Sequence, residues 1–236
     1  MTAIICAAGD LDESAAARGL ARRHEEVYFM AGVHPHAAKD VAGDYLAAVE
    51  RLSGDAKNVA IGEIGLDYHY DFSTRDVQRR VFAEQLELAR RLGKPVVIHM
   101  REAFDDTLAI LRRSGADPQR VVFHSFTEGP SAARAVLDLG ATVSFSGIVT
   151  FKNADELRQA ARITPARRLL IETDAPYLSP EPVRKMKTNE PANVAHVAAF
   201  LAGLLATPPE ELAQQTMDNA VSFFAIRSVP RGGVSG

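Results

Sequence analysis

Short apolar runs alternate with amphipathic segments along most of the chain. The runs are rich in Val, Ile and Phe and end at turn residues, which is typical of buried strands. The segments between them carry apolar residues three and four positions apart, which predicts helices that bury one face. The predicted strands contain the sequences TAIICA, VYFMAGV, NVAIG, PVVI, RVVF, ATVSFSGIV and RLLI.

Capping residues mark the boundaries of several predicted helices. Ser14 is positioned to cap the first helix. Gly93 is expected to end the long helix RDVQRRVFAEQLELARRL in the left-handed conformation. Pro130 and Gly140 are expected to begin and end the helix after the RVVF strand, since proline favours the first helical turn and glycine the position after the last.

The alternation predicts an α/β fold with seven strands. Strands that are apolar almost throughout suit a parallel sheet covered by helices. Two architectures fit this pattern: an open doubly wound sheet, and a TIM (β/α)8-type barrel that lacks one βα unit. Because no low-complexity linker divides the chain, we expect one domain over residues 1–226, followed by a disordered tail over residues 227–236 without apolar periodicity.

Composition and charge narrow the class of protein. The 236 residues are 47% hydrophobic and 24% charged, which is usual for a soluble globular domain. The net charge of −3 gives no general basic surface, so any phosphate binding has to be local. The one cysteine, Cys6, excludes a disulfide framework and favours a reducing compartment. Since neither a membrane span nor a signal-peptide pattern is visible, a cytoplasmic protein without a membrane partner is expected.

Histidines and carboxylates recur where the predicted strands end. In a barrel of parallel strands, all the C-terminal ends surround one mouth, whereas in an open sheet they spread along an edge. A single mouth explains the recurrence better, which favours the barrel. The residues at these ends are His34, His36, Glu63, Asp67, His99, Arg101, His124, Glu172 and Asp174.

Imidazoles and carboxylates that converge from several strands indicate a divalent metal site. Taken singly, a strand-end histidine is more often structural, and a strand-end carboxylate often caps the next helix. Glu63 resists that interpretation, because a glycine-rich turn follows it directly. For Glu63, His99, His124 and Asp174 together, the structural alternative requires independent coincidences at matching positions. The His-Pro-His segment after the second strand is equally compatible with a turn.

Several stretches resemble, in order, the signatures of the TatD family of metal-dependent hydrolases. The resemblance spans Thr2 to about Ile226. It implies a TIM-barrel, amidohydrolase-like fold, divalent ions of the magnesium or zinc type, and hydrolysis of DNA. The DNase activity is typically that of a 3′-to-5′ exonuclease, so single-stranded DNA or 3′ ends are the implied partner. The stretches are AGVHPH, AIGEIGLDYHYD, VIHMREAFDDTL, FHSFTEG, IETDAPYLSP and NEPANV.

The resemblance also implies roles for individual residues. Glu63 matches the carboxylate that bridges two metal ions, and His99 and His124 match ligands of the second ion. Asp174 matches the carboxylate that holds the first ion and orients its water, so Asp174 and Glu63 are the expected catalytic residues. A bound divalent ion lowers the pKa of its water, and a neighbouring carboxylate can accept the proton.

A further set of residues is expected to contact the substrate. Arg101 suits a phosphate clamp, and Tyr68 and Tyr177 suit either base stacking or packing. Lys185 and Met186 stand where the family usually has a Gly-Lys pair, so contacts there are altered in detail. The expected substrate-binding residues are Arg101, Asp67, Tyr68, His34, Asn189 and Glu190.

One family segment has no counterpart in this sequence. Family members begin with a strand carrying Asp-x-His-x-His, followed by a helix and only then a strand like TAIICA. We therefore expect the first βα unit to be missing, with an opening between the TAIICA and RLLIETD strands. Met1 falls where the family commonly has Val, so a GTG codon taken as a start site is one hypothesis. A natural short paralogue and a trimmed chain are the alternatives.

Loss of that segment bears on function, because its histidines are ligands of the first ion. That ion would keep Glu63 and Asp174, whereas the second keeps Glu63, His99 and His124, a workable three-ligand set. Three functions stay open: a TatD-type deoxyribonuclease with one or two ions, an amidohydrolase-like enzyme on another small substrate, and an inactive remnant.

Overall fold

A computed structural model describes residues 3–226, so the predicted tail lies outside the described residues. Within this range seven strands alternate with eight α-helices. The strands are β1 (Ile4–Cys6), β2 (Val27–Ala31), β3 (Asn58–Asp67), β4 (Val96–Arg101), β5 (Val121–Phe123), β6 (Thr142–Phe145) and β7 (Leu169–Ile171). The helices are α1 (Leu11–Arg23), α2 (Tyr45–Ser53), α3 (Arg75–Leu92), α4 (Phe104–Ser114), α5 (Pro130–Leu139), α6 (Asp155–Ile163), α7 (Val194–Leu204) and α8 (Pro209–Phe224).

The strands form one parallel sheet in chain order, from β1 to β7. Within residues 3–226, β1 and β7 are the two edges and do not pair with each other. This confirms the seven-stranded α/β barrel with an opening between its first and last strands. Ile4 of β1 and Ile171 of β7 are accordingly half-buried, whereas every residue of β2 is buried.

The two faces of the sheet pack against different partners. Along β2, Val27 and Phe29 belong to a large core shared with the covering helices, whereas Tyr28 and Met30 belong to a smaller cluster on the opposite face. This alternation is the two-residue period of a strand. The C-terminal end of α8 also packs against the smaller cluster, through Phe223 and its neighbours. The inner face of the barrel is therefore filled partly by a helix end.

A close approach between β3 and β4 requires a glycine. Gly65 has a φ of 144°, and a Cβ at this position would lie 1.9 Å from the carbonyl oxygen of His99. Gly65 and His99 are partners in the β3–β4 ladder. The expected turn after Glu63 is therefore wrong: β3 continues to Asp67, and Gly65 lies within it, where the missing side chain lets the two strands meet closely beside the site residues.

The helix ends follow the sequence signals with one exception. Gly93 and Gly140 end their helices at φ values of 61° and 104°, and Pro130 begins α5, as expected. The prediction for Ser14 is wrong: Asp10 caps α1, and its side chain accepts a hydrogen bond from the backbone N–H of Glu13 at 2.8 Å. The helix begins earlier because this carboxylate satisfies a free N–H of the first turn.

In residues 3–226, no individual helix is long and apolar enough to cross a bilayer. The segments Pro191–Leu204 and Pro209–Phe224 meet the length and composition requirement only in combination, with a bend of 114° between them.

Candidate metal centre and active site

Three imidazoles surround one oxygen of Glu63 at the C-terminal ends of the strands. The Glu63 Oε1 atom lies 2.9 Å from His99 Nδ1 and 3.1 Å from His124 Nε2. His34 Nε2 lies 3.5 Å from the same oxygen. Glu63 and His99 come from β3 and β4, and His124 directly follows β5, so three neighbouring strands bring these groups together.

The chemistry and spacing of this cluster fit a divalent ion. Glu63, His99 and His124 each offer a ligand atom within 4.8 Å of the others. In a tetrahedral site with bonds of about 2.0–2.1 Å, neighbouring donors lie roughly 3.3 Å apart. The observed separations of 2.9 and 3.1 Å from the Glu63 oxygen are close to that value. One carboxylate and two imidazoles are also donors that bind zinc and other divalent metals.

A second group of potential ligands overlaps the first. His34, His36 and His99 also offer ligand atoms within 4.8 Å of one another. The rings of His34 and His36 lie 4.3 Å apart, and those of His34 and His99 lie 4.4 Å apart. The His-Pro-His segment therefore lies beside the cluster rather than in a remote turn.

Asp67 lies beneath this cluster and binds two of its imidazoles. Its Oδ2 atom is 3.0 Å from His99 Nε2 and 2.9 Å from His36 Nε2. Its Oδ1 atom accepts hydrogen bonds from the backbone N–H groups of His69 and Tyr70, at 3.0 and 2.9 Å. The carboxylate is fully buried, which alone would raise its pKa, but the hydrogen bonds from His99, Tyr70 and His36 hold the pKa well below its usual range. A buried carboxylate of this kind fixes the orientation of an imidazole.

Glu172 makes the corresponding contact with His124. Its Oε1 atom lies 2.9 Å from His124 Nδ1 and accepts the backbone N–H of Ser125 at 2.5 Å. The sequence places Glu172 at the end of a strand without predicting a role for it. The signal was the Glu-x-Asp spacing after β7, which brings a second carboxylate close to Asp174.

Asp174 lies near the same ring nitrogen of His124 that faces Glu63, but at a greater distance. Its Oδ1 atom is 3.7 Å from His124 Nε2. Burial raises the pKa of Asp174 to about 6, and the negative charges of Glu172 and Glu63 add to this effect while His124 opposes it. A carboxyl with a pKa close to neutrality can exchange a proton under ordinary conditions.

The pKa values of the central groups follow from their mutual contacts. Burial alone would raise the pKa of Glu63, but the charge of His124 and the hydrogen bonds from all three imidazoles hold it well below its usual value. Burial would lower the pKa of His124, but Glu172 and Glu63 raise it well above its usual value. Burial lowers the pKa of His34 and outweighs the opposing effect of Glu63.

The other residues proposed from the sequence as substrate contacts occupy different environments. Tyr68 donates its hydroxyl to Asp106 at 2.5 Å and is half-buried. Arg101 is the last residue of β4, and its guanidinium carbon lies 4.7 Å from the centre of the Tyr70 ring. Both residues therefore lie near the mouth. The Tyr68 hydroxyl is bonded to Asp106, whereas the Arg101 guanidinium lies beside the exposed ring of Tyr70.

The loop after β7 contains the remaining two substrate-contact residues. The side-chain amide of Asn189 donates to the carbonyl oxygens of Thr173 and Tyr177, both at 2.7 Å. Asn189 is buried, whereas Glu190 is exposed. Asn189 thus braces the loop that carries Asp174, and Glu190 is the member of the pair that faces solvent.

Comparison with known proteins gives one consistent family. The family described as TatD related DNase matches residues 1–225. A relative from Escherichia coli strain K12, described as the uncharacterized metal-dependent hydrolase YcfH, is 46% identical over 209 residues, covering 89% of this chain and 78% of that protein. A relative from Erwinia billingiae, described as the 3'-5' ssDNA/RNA exonuclease TatD, is 38% identical over 219 residues, covering 91% of this chain and 84% of that protein.

The fold comparison agrees with the sequence comparison. The crystal structure of YjjV, a TatD homologue from Escherichia coli K12, superimposes with a TM-score of 0.90 at 30% identity, covering 96% of this chain and 88% of that one. The ordered strand-end motifs, the cluster around Glu63 and these matches lead to the same assignment. The chain belongs to the TatD family of metal-dependent hydrolases.

Proposed function

We propose that this chain is a deoxyribonuclease that hydrolyses phosphodiester bonds and removes nucleotides from 3′ ends. The observation that carries the proposal is the convergence of His99 and His124 on one oxygen of Glu63, at 2.9 and 3.1 Å. The name of the Erwinia billingiae relative, a 3'-5' ssDNA/RNA exonuclease, supports nucleic acid as the substrate class.

Glu63, His99 and His124 would hold a divalent ion, of the magnesium or zinc type. Such an ion supplies a water of lowered pKa and neutralises charge on the attacked phosphodiester. Asp67 and Glu172 keep the two imidazoles in the orientation that points one ring nitrogen of each at Glu63. Of the ligands that the family uses for the other ion, this chain retains Glu63 and Asp174.

Asp174 acts as the proton acceptor in this proposal. Its carboxylate lies 3.7 Å from His124 Nε2, beside the ligands rather than among them. With a pKa raised by burial to about 6, it is mostly ionised at pH 7 and above, and is a stronger base than an exposed aspartate. It can therefore take a proton from water that attacks at the cluster.

In this proposal Arg101, His34 and Glu190 contact the substrate at the mouth. Tyr68 and Asn189 hold the surrounding loops in place. The Arg101 guanidinium suits a phosphate oxygen. His34 borders the Glu63 oxygen at 3.5 Å, so it is positioned next to the bond to be cleaved.

The test is hydrolysis of 5′-labelled single-stranded DNA by purified chain, stripped of metal and then supplied with magnesium, manganese or zinc. We expect metal-dependent shortening from the 3′ end, which is lost in His99→Ala and His124→Ala. His24→Ala is the matched control, since His24 is an exposed histidine at the end of α1. Cleavage of amide or ester substrates but not DNA would replace the proposal with a different hydrolase, and no activity with any metal would indicate an inactive remnant.

A further inference from the structure

Exposed large apolar side chains are concentrated at the mouth of the barrel. In residues 3–226, four of the five lie on the loops after β3 and β7, and the fifth, Leu20, lies on α1. Exposed apolar groups gathered around a cleft indicate a binding surface, whereas scattered ones do not. The four side chains at the mouth are Tyr70, Phe72, Tyr177 and Met186.

Tyr70 and Phe72 form a pair of parallel rings, which we call the aromatic platform. Their ring centres are 5.5 Å apart with an angle of 10° between the planes. Tyr70 is 49% exposed and Phe72 is 54% exposed. The platform therefore presents flat aromatic surface to solvent, where the hydrophobic effect alone would bury it.

The aromatic platform is continuous with the metal cluster. The His36 ring packs edge-on against Phe72 at 4.8 Å and against Tyr70 at 5.5 Å, and its centre lies 6.0 Å from that of His99. Asp67 links the two regions again, since it accepts the backbone N–H of Tyr70 and also binds His99. A ligand bound at the cluster thus lies one ring away from the platform.

The loop that carries the platform is held in place from below. The buried Ser73 hydroxyl donates to the carbonyl oxygen of His36 at 3.1 Å and accepts the backbone N–H of Lys39 at 3.0 Å. Gln78, also buried, donates to the carbonyl oxygen of Ser73 at 2.8 Å. Because these bonds order the loop without a ligand, little further ordering is needed when a ligand binds.

Arg101 adds a positive charge beside the platform. Its guanidinium carbon lies 4.7 Å from the centre of the Tyr70 ring. Within residues 3–226 this guanidinium has no ion pair or side-chain hydrogen bond, so its donors lie beside the Tyr70 ring without an acidic partner there. A phosphate would satisfy these donors. An apolar protein segment would cover them and leave them unpaired.

We propose that the aromatic platform binds unpaired nucleobases of the strand whose phosphodiester lies at the Glu63 cluster, with Arg101 on a nearby phosphate. This inference rests on the proposed nuclease function and names the substrate class at the same site. Aromatic rings bind bases through their faces, and in a duplex those faces are already stacked. The platform therefore selects single strands and frayed ends, with little preference among the bases.

The experiment measures binding without hydrolysis. Fluorescence anisotropy in EDTA compares a labelled single-stranded DNA with an abasic strand of equal length and charge. We expect the wild-type chain to prefer the base-bearing strand, and the Tyr70→Ala/Phe72→Ala variant to lose this preference through a roughly tenfold or greater weakening on that strand. The conservative Tyr70→Phe/Phe72→Tyr variant keeps both rings and should keep the preference, and Leu20→Ala is the control for loss of an exposed apolar side chain elsewhere.

The outcomes separate this inference from the proposed function. Wild-type hydrolysis of DNA together with an unchanged base preference in the double alanine variant would overturn the platform and leave the nuclease intact. Absence of DNA hydrolysis in the wild type would overturn the nuclease itself. If the double variant fails to fold, as judged by its thermal transition, the single Phe72→Ala variant serves, because Phe72 is the more exposed ring. A preference retained in that variant at full strength contradicts the inference.

Discussion

The centre of the sheet and its open edge differ in how they present site residues. β3 is ten residues long and buried except at Glu63, and it pairs on both sides. β1 and β7 are three residues each, and each pairs on one side within residues 3–226. Glu63 and His99 lie in central strands and His124 directly follows another, β5, whereas Glu172 and Asp174 follow the edge strand β7.

We interpret this difference as a division between the proposed metal ligands and the proposed proton acceptor. Groups on doubly paired strands are held by neighbours on both sides, which suits metal ligands that require fixed distances. Asp174 lies on a loop beyond an edge strand, braced by Asn189, and the role of proton acceptor that we propose for it tolerates more movement. We therefore expect changes in the centre to affect metal binding, and changes at the edge to affect turnover.

The largest expected effects come from the cluster itself. His99→Ala and His124→Ala should remove most metal binding, because each deletes one donor of the three-ligand set that includes Glu63. Asp174→Asn should spare metal binding but lower the hydrolysis rate by about 10²- to 10⁴-fold, the usual contribution of a general base. Calorimetric metal titration of the three variants, paired with the DNA assay, tests the contrast.

One result would contradict the separate roles of the histidines and Asp174. Equal loss of metal binding in all three variants would mean that Asp174 is a ligand of the occupied position and that the roles of centre and edge are not separate. The exposed His24, changed to alanine, shows what loss of a histidine does away from the site.

The next effects come from Asp67 and Glu172, the two carboxylates that orient the imidazoles. Asp67→Asn and Glu172→Gln should each weaken metal binding by roughly 10- to 100-fold, the usual cost of losing such a partner. Asp67→Asn should cost more, since Asp67 holds His99, His36 and two backbone N–H groups. Metal affinity measured for both variants shows which carboxylate contributes more. A larger loss in Glu172→Gln would contradict the expected order and show that metal binding depends more on the edge of the sheet.

A smaller, graded effect concerns the pH dependence of metal affinity. Burial lowers the pKa of His99, but its bonds to Asp67 and Glu63 raise it above the usual value in the metal-free chain, and His124 is raised further. Below these raised pKa values the imidazoles carry protons that an ion must displace. Affinity should therefore rise with pH, by about tenfold per unit for each proton displaced. Titrations in buffers of different ionisation enthalpy count the released protons, and a pH-independent affinity would contradict the assigned ligands.

The sequence predicted the fold and the cluster because both depend on periodicity. Positions at or near the C-terminal ends of the strands converge in a parallel barrel. The proximity of Glu63, His99 and His124 could therefore be predicted from their places in the chain. Contacts between side chains that follow different strands could not be predicted in this way. The Glu-x-Asp spacing places Glu172 near Asp174 but does not reveal its contact with His124. Asp67, expected to contact substrate, lies fully buried beneath His99.

The solvent exposure of side chains in the loops was the other property that the sequence did not predict. Tyr70 and Phe72 follow a strand in a stretch that reads as an ordinary loop, and their stacking on each other depends on how Asp67 and Ser73 fix that loop. Tyr68, two residues before Tyr70, was expected to suit either base stacking or packing, and it is half-buried and bonded to Asp106. Alternation along a strand predicts which face a residue occupies, but it does not extend past the strand's end.

The smallest expected effect compares the centre and the edge through one chemical change. Ile98 in β4 is fully buried, whereas Ile171 in β7 is half-buried. Ile98→Val should lower the free energy of unfolding by about 1 kcal/mol, because a buried methylene is lost from a packed site. Ile171→Val should cost about half of that or less, since part of the side chain is already in contact with water. Urea denaturation of the metal-free variants measures both, and an equal or larger loss for Ile171→Val would show that the edge is packed as tightly as the centre.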